Sequence, residues 1–221
     1  MHDVPDPAGR SVDLRSLTYA VVDVETTGTR VNGGDRIMEV AVVHLRDGEV
    51  TTAAEFLVNP QCGVHPWVSR LTGLRWEMLH EAPTFGDIAE RVQEALDVDV
   101  FVAHNVRFDW RFVSAELRRV TGRGLRGPRL CTVKFARKVL PHLRRRNLDS
   151  LVFHYEVPFI GRRHRAGPDA RATAHVLDHL LRDARRQDVD TWDQLQQLLK
   201  RPRPSPARSY LPQPVRDEWV A

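Results

Sequence analysis

Cysteine is almost absent from this chain. Cys62 and Cys131 are the only two among 221 residues, too few for a disulfide framework and without zinc-type spacing. That scarcity points to a reducing, cytoplasmic setting. Long apolar runs are missing as well: no stretch approaches the ~18 residues that read as a membrane span. The opening Met1-His2-Asp3-Val4-Pro5 has neither the basic start nor the apolar centre of a secretory signal. No internal repeat is present. Excess acid is lacking too: the formal net charge is +4 and the isoelectric point is near 9.5. That balance favours a polyanionic partner and says nothing of fold. Hydrophobic residues still make up 42% of the chain, enough for a core, which excludes disorder over most of the length. The length suits one large domain better than two.

What is present is organised around Tyr19-Ala20-Val21-Val22-Asp23-Val24-Glu25-Thr26-Thr27-Gly28. The apolar residues form a buried strand. Strand side chains alternate with a period of two, so Asp23 and Glu25 point to one face. Two buried like charges repel and resist desolvation. A divalent cation removes both objections, because hard cations take carboxylate oxygens. On this stretch alone, an exposed edge strand with two solvated acids fits equally well.

Residues 1–16 read as a loose lead-in. After the first strand, Asn32-Gly33-Gly34-Asp35 marks a turn. Ile37 to Leu45 reads as a second strand, Arg46-Asp47-Gly48-Glu49 as a hairpin turn, and Val50 to Val58 as a third strand. The opening is therefore three antiparallel strands. A short helix is expected near Val68, and a longer one from Phe85 with Thr84 as cap. Val98 to Ala103 is a short strand that runs into a helix from about Phe108. Thr121 to Pro128, with three glycines, is a loop. Leu130 to Leu140 reads as a helix, and Leu148 starts another. Pro168-Asp169 opens a further helix with Ala170, Thr173, Ala174, Leu177 and Leu181 on its apolar face. Thr191 to Leu199 closes the domain, placed at 17–200. Residues 201–221 hold five of the fourteen prolines and read as a flexible tail or partner-binding peptide.

Two later segments carry acids beside histidines. One is His104-Asn105-Val106-Arg107-Phe108-Asp109, the other His164-Arg165-Ala166-Gly167-Pro168-Asp169. Taken singly, Asp109 and Asp169 read as helix caps or dipole partners. Taken with Asp23-x-Glu25 they form a three-part pattern in order. It resembles the histidine-bearing branch of the DEDD exonuclease superfamily, and within it the epsilon proofreading subunit of bacterial DNA polymerase III. The resemblance covers roughly residues 17–183 and includes Leu148-Asp149-Ser150-Leu151 before the third motif.

The resemblance implies a ribonuclease H-like α/β fold, a mixed central sheet flanked by helices. It implies that Asp23, Glu25, Asp109 and Asp169 ligate two divalent ions, Mg²⁺ or Mn²⁺, and that His164 is the general base. No motif residue is missing, which implies an active enzyme. Cys131-Thr132 departs from the Asp-Thr of many relatives, at a position that is not a metal ligand. The implied reaction is 3′→5′ hydrolysis of single-stranded or frayed DNA ends in proofreading or repair, releasing nucleoside monophosphates. The same chemistry on RNA ends, as in ribonuclease T-like or oligoribonuclease-like relatives, is the alternative.

The chemistry needs these residue types. Paired metals hold the attacking and leaving oxygens of an in-line displacement, and an imidazole accepts a proton near working pH. Arg162, Arg163 and Arg165 surround His164 and suit a phosphate backbone, or are a solvated loop. Thr26, Thr27, Gly28, His104, Asn105, Phe108 and Arg165 are the candidate substrate contacts. Gly28 would admit the terminal nucleotide, and Phe108 would stack on a base or belong to the core. Gln194 to Leu199 resembles a bacterial sliding-clamp peptide, and an ordinary amphipathic helix explains it as well. A non-catalytic polymerase or clamp accessory module remains the reading from another class.

Overall fold

The computed structural model describes residues 12–201. Strand β1 (Tyr19–Thr26) is followed by a single 3-10 turn (Val31–Gly33), β2 (Ile37–Arg46) and β3 (Glu49–Leu57). Helices α1 (Pro66–Thr72), α2 (Trp76–Leu79) and α3 (Phe85–Leu96) come next. Then come β4 (Val100–Ala103), α4 (Arg107–Thr121), β5 (Arg129–Cys131) and α5 (Thr132–Val139). The described chain closes with α6 (Leu148–His154), α7 (Ala166–Arg185) and α8 (Trp192–Lys200).

The five strands form one mixed sheet in the order β3-β2-β1-β4-β5. The first three are antiparallel in sequence, as expected, and β4 and β5 join parallel. The β2–β3 turn is tight because Asp47 and Gly48 both take positive φ, 47° and 80°, the geometry that suits a two-residue hairpin loop. Helix α3 starts on a reciprocal cap between Thr84 and Asp87, the arrangement that satisfies otherwise orphaned backbone donors.

Alternation along β1 builds the two halves of the core. Tyr19 and Val21 join a cluster with Leu45, Phe135, Leu151 and Leu177. Ala20, Val22 and Val24 join another with Phe85, Val92, Phe112 and Leu117. Helix α7 covers the first face and buries Val176, Leu177 and Leu180 completely. Each of those side chains contributes about 1.5–3 kcal/mol of hydrophobic stabilisation. Asp23 and Glu25 continue the odd-numbered face, so they open toward the start of α7.

Several expected boundaries move. Leu130 and Cys131 belong to β5, not to the helix that follows, which begins at Thr132. Helix α7 begins at Ala166, two residues before the expected Pro168-Asp169. Helix α2 was not expected at all. Of the expected lead-in, residues 12–16 are described: Asp13 bridges Thr191, and Leu14 is buried. The rest of the lead-in, and the tail after residue 201, lie outside the described residues. The clamp-like segment forms α8, where Leu195 is fully buried and Leu198 and Leu199 pack against the core. Core packing therefore accounts for its apolar spacing.

Candidate active site

Three elements bring carboxylates to one cleft of about 270 Å³. Strand β1 presents Asp23 and Glu25. Its pairing with β4 stops at Val21↔Val102, so the next stretch of β1 lacks a strand neighbour on that side. There the Val24 amide donates to Asp109 Oδ1 at 3.2 Å. Asp109 stands in the first turn of α4, one helical turn before the core residues Phe112 and Val113. The missing strand partner is thus replaced by a carboxylate, which carries α4 to the end of β1.

Helix α7 supplies Asp169, buried in its first turn. The helix start is held against the sheet by Glu39, the cross-strand partner of Glu25. Glu39 accepts from the Ala166 amide at 2.8 Å and from the Arg165 guanidinium at 2.6 and 3.0 Å. Gly167 lets the Glu55 carboxylate lie against the helix start, where a Cβ would displace it. His164, just before the cap residue Arg165, takes a left-handed backbone (φ 59°), and its amide donates to Asp169 Oδ2 at 3.2 Å. That conformation is uncommon for a residue with a side chain. Ligand atoms of Glu25, His164 and Asp169 all lie within 4.8 Å of one another.

The electrostatics are those of acids crowded without enough cations. Burial, then the charges of Asp109, Glu25 and Asp169, raise the Asp23 carboxyl well above the ordinary range. Burial, then Asp169, Glu39 and Asp109, push Glu25 up to about 8. Burial pushes Asp109 up to about 7 against two backbone hydrogen bonds. Asp169 is raised by burial, with the Arg163 guanidinium pulling the other way. All four donors are carboxylate oxygens, the chemistry that a hard divalent ion prefers. The residues present fit such an ion.

His104 and Asn105, expected as substrate contacts, line the same cleft, as does Phe108. His104 Nδ1 is 2.9 Å from Thr132 Oγ1, and burial, then Arg163, depress its pKa to about 4. It is therefore neutral at pH 7. Asn105 sits at φ 77°, a conformation that asparagine tolerates better than most. Phe108 also packs 4.9 Å from the Phe112 ring, so it serves core and cleft together.

Four expected contacts are placed differently. Thr26, Thr27 and Gly28 do not line the cleft. Thr26 Oγ1 donates to the Gly28 carbonyl at 2.6 Å, and Thr27 Oγ1 accepts from the Arg36 amide at 3.0 Å. At Gly28 a Cβ would stand 2.5 Å from the Asp35 carboxylate. Arg165 turns away to Glu39. In its place Arg163 enters the cleft, pairing with Asp169 and, at 2.5 Å, with Asp149. Arg163 and the α6 cap Asn147 line the cleft and were missed as individual site residues. Among several adjacent arginines no sequence signal says which one turns inward. Between the two arginines His164 takes its left-handed backbone conformation.

A mixed five-stranded sheet with acids converging from its first strand and two flanking helices defines the ribonuclease H-like exonuclease class. Comparison with known proteins agrees. Residues 20–177 match the RNase_T exonuclease family. A Mycobacterium tuberculosis protein, provisionally named bifunctional exonuclease/endonuclease MT2247, is 36% identical over 198 residues, 85% of this chain and 30% of that protein. The PolC-type DNA polymerase III of Oceanobacillus iheyensis is 33% identical over 165 residues, 75% of this chain and 11% of the polymerase. The chain thus spans under a third of either relative. Among solved structures, exonuclease X in complex with 5′-overhanging duplex DNA superposes with a TM-score of 0.62 at 24% identity, covering 83% of this chain and 99% of that one. The chain belongs to the DEDD exonuclease family, whose members use divalent metal ions.

Proposed function

We propose that this chain is a metal-dependent 3′→5′ exonuclease acting on single-stranded or frayed DNA ends, in proofreading or repair. The observation that carries the reading is the convergence of four carboxylates of raised proton affinity with His164 and His104 in a single cleft. Similarity to PolC-type DNA polymerase III supports DNA as the substrate in this reading. Such a substrate goes with a cytoplasmic location, and residues 17–200 form the catalytic domain.

In this reading Asp23, Glu25, Asp109 and Asp169 hold two Mg²⁺ or Mn²⁺ ions, which when bound would neutralise the scissile phosphate and lower the pKa of water. A ring nitrogen of His164 takes the proton of the attacking water, a role that suits an imidazole. The water oxygen bonds to phosphorus and the P–O3′ bond breaks. The penultimate nucleotide keeps its 3′-oxygen, which gains a proton, and a nucleoside 5′-monophosphate leaves. Neutral His104, with Asn105 and Phe108, lines the nucleoside side of the cleft without competing for the proton.

The test is a gel time course on 5′-labelled single-stranded DNA, mismatched duplex and matching RNA, with Mg²⁺, with Mn²⁺ and with EDTA. A metal-dependent ladder that shortens from the 3′ end, fastest on DNA, is the expected result. Faster trimming of RNA would move the substrate class, and no degradation by folded protein would overturn the reading. His164→Ala is expected to lose about 10²-fold or more in rate while still binding metal in calorimetry.

A further inference from the structure

Asn147 and Arg163 line the carboxylate cleft and also a larger groove beside it, of about 1150 Å³. One part of that groove is aromatic. Phe153 is 86% exposed near the end of α6, and Phe159 lies beneath the Arg163 guanidinium, 5.5 Å from its ring centre. Helix α6 buries Leu148 and Leu151, so the core makes no use of the Phe153 ring. Ile160, next to Phe159 in the chain, is 81% exposed. Exposed apolar side chains gathered in this way mark a binding surface. The rest of the groove is cationic. Arg144 and Arg145 stand in the loop between α5 and α6, with no ion-pair partner among the described residues. Its lining acids are Asp149, which Arg163 neutralises, and Glu156.

We infer that this groove holds the single strand leading up to the scissile end, with Phe153 stacking on a base and Arg144 and Arg145 taking phosphates. The inference rests on the exonuclease reading and extends that site from the terminal nucleotide to those before it. A single strand offers π-faces and phosphates in alternation, and a surface that sets the exposed Phe153 beside the half-buried Phe159 and arginines without ion-pair partners matches both. Continuity decides the occupant. Because Asn147 and Arg163 border both cavities, a strand whose end lies among the carboxylates enters the groove without crossing open solvent. An apolar segment of a partner protein would match Phe153 and Ile160 but leave the arginines without a counter-charge.

The experiment reads binding apart from turnover. Anisotropy of fluorescent oligodeoxythymidylates, from dinucleotide to decanucleotide, is measured in EDTA across a salt series. The proteins are the wild type, Phe153→Ala and the double variant Arg144→Ala/Arg145→Ala, each checked by thermal melting. Wild-type affinity should rise with strand length. Phe153→Ala should weaken decanucleotide binding about tenfold, with the loss growing as the strand lengthens. The double variant should lower the slope of log affinity against log salt by about 1.4, at about 0.7 per lost phosphate contact. Wild-type affinity that does not depend on length, or variants that keep both the length dependence and the salt slope, would overturn the inference and leave the groove to a protein partner. The gel time course reads hydrolysis separately, so a non-hydrolysing protein that binds long strands through the groove would fail the exonuclease reading alone.

Discussion

Glu25 and Glu39 face each other across the β1–β2 register, yet the fold treats them in opposite ways. Glu39 is 2% exposed and saturated by the Arg165 guanidinium and the Ala166 amide. Glu116 is held likewise, with Arg36 at 2.7 and 2.9 Å and Arg119 at 3.1 Å. Glu25, Asp23 and Asp109 have no arginine in contact among the described residues, and each is driven toward its protonated form. A buried acid with a guanidinium is an anchor. A group of buried acids without one costs folding energy unless a cation arrives from outside. Perturbed acids of the second kind concentrate at functional sites.

The comparison predicts amide substitutions of opposite sign. Asp23→Asn should lower exonuclease activity by about 10³-fold, the upper range for removing a preorganised electrostatic stabiliser. It should also raise the melting temperature of metal-free protein at pH 8, because one of several repelling carboxylates is gone. A near-wild-type rate, or a less stable metal-free variant, would break the distinction. Glu39→Gln should do the reverse to stability, costing about 3 kcal/mol, the low end for a broken buried pair because Arg165 still meets water. Glu116→Gln should behave similarly. Urea unfolding of both variants measures this, and a loss below a tenth of that size would mean that these pairs are not anchors.

How far the comparison was legible in the sequence differs from acid to acid. The period of a strand puts Asp23 and Glu25 on one face, and no structure is needed to see it. Asp109 and Asp169 are legible only as members of a joint pattern, since each alone is an ordinary first-turn acid. Glu39 and Glu116 show nothing in the sequence. Arg165 and Arg36 lie 126 and 80 positions from them, beyond the reach of local periodicity, and the i,i+3 spacing of Glu116 and Arg119 reads as an ordinary helix-surface pair. Arg165, the expected substrate contact, pairs with Glu39 while Arg163 lines the cleft, a choice among adjacent arginines that no local pattern encodes. The glycine at position 28 is legible as a close approach, but its neighbour there, the Asp35 carboxylate, is not. Strand β5 was read as helix because its three residues are too few to show alternation.

A pH series sharpens the same contrast. In metal-free protein Glu25 is pushed up to about 8 and Asp109 to about 7, from ordinary values of 4.5 and 3.8. The folded form therefore binds protons that the unfolded chain has released. The stability this contributes is fully present below the unfolded values and is lost as pH rises through about 7 to 8. His104, depressed to about 4 from 6.5, has the opposite slope but only below about pH 6.5. Between pH 6.5 and 8 the metal-free melting temperature should fall, and saturating Mg²⁺ should abolish the fall, because metal binding displaces those protons. A metal-free melting temperature that rises over this interval would show that the cleft acids are already compensated in the folded state.

The smallest effect tests the residue that belongs to both groups. Arg163 pairs with Asp169 and opposes proton uptake at Asp23 and Glu25. It therefore supplies part of the positive charge that a metal would bring, and it stands in the cleft where that charge is needed. Its side chain is 31% exposed, so its pairing is worth about 1 kcal/mol at most. Arg163→Ala should lower the metal-free melting temperature slightly and tighten Mg²⁺ binding by about fivefold, the equivalent of ~1 kcal/mol, when measured by calorimetry. If Mg²⁺ instead binds more weakly, Arg163 is not a rival of the metal. It would then be a positioning residue that holds Asp169 for the metal through Asp149, and it would belong with Arg165 and Arg36 among the anchors.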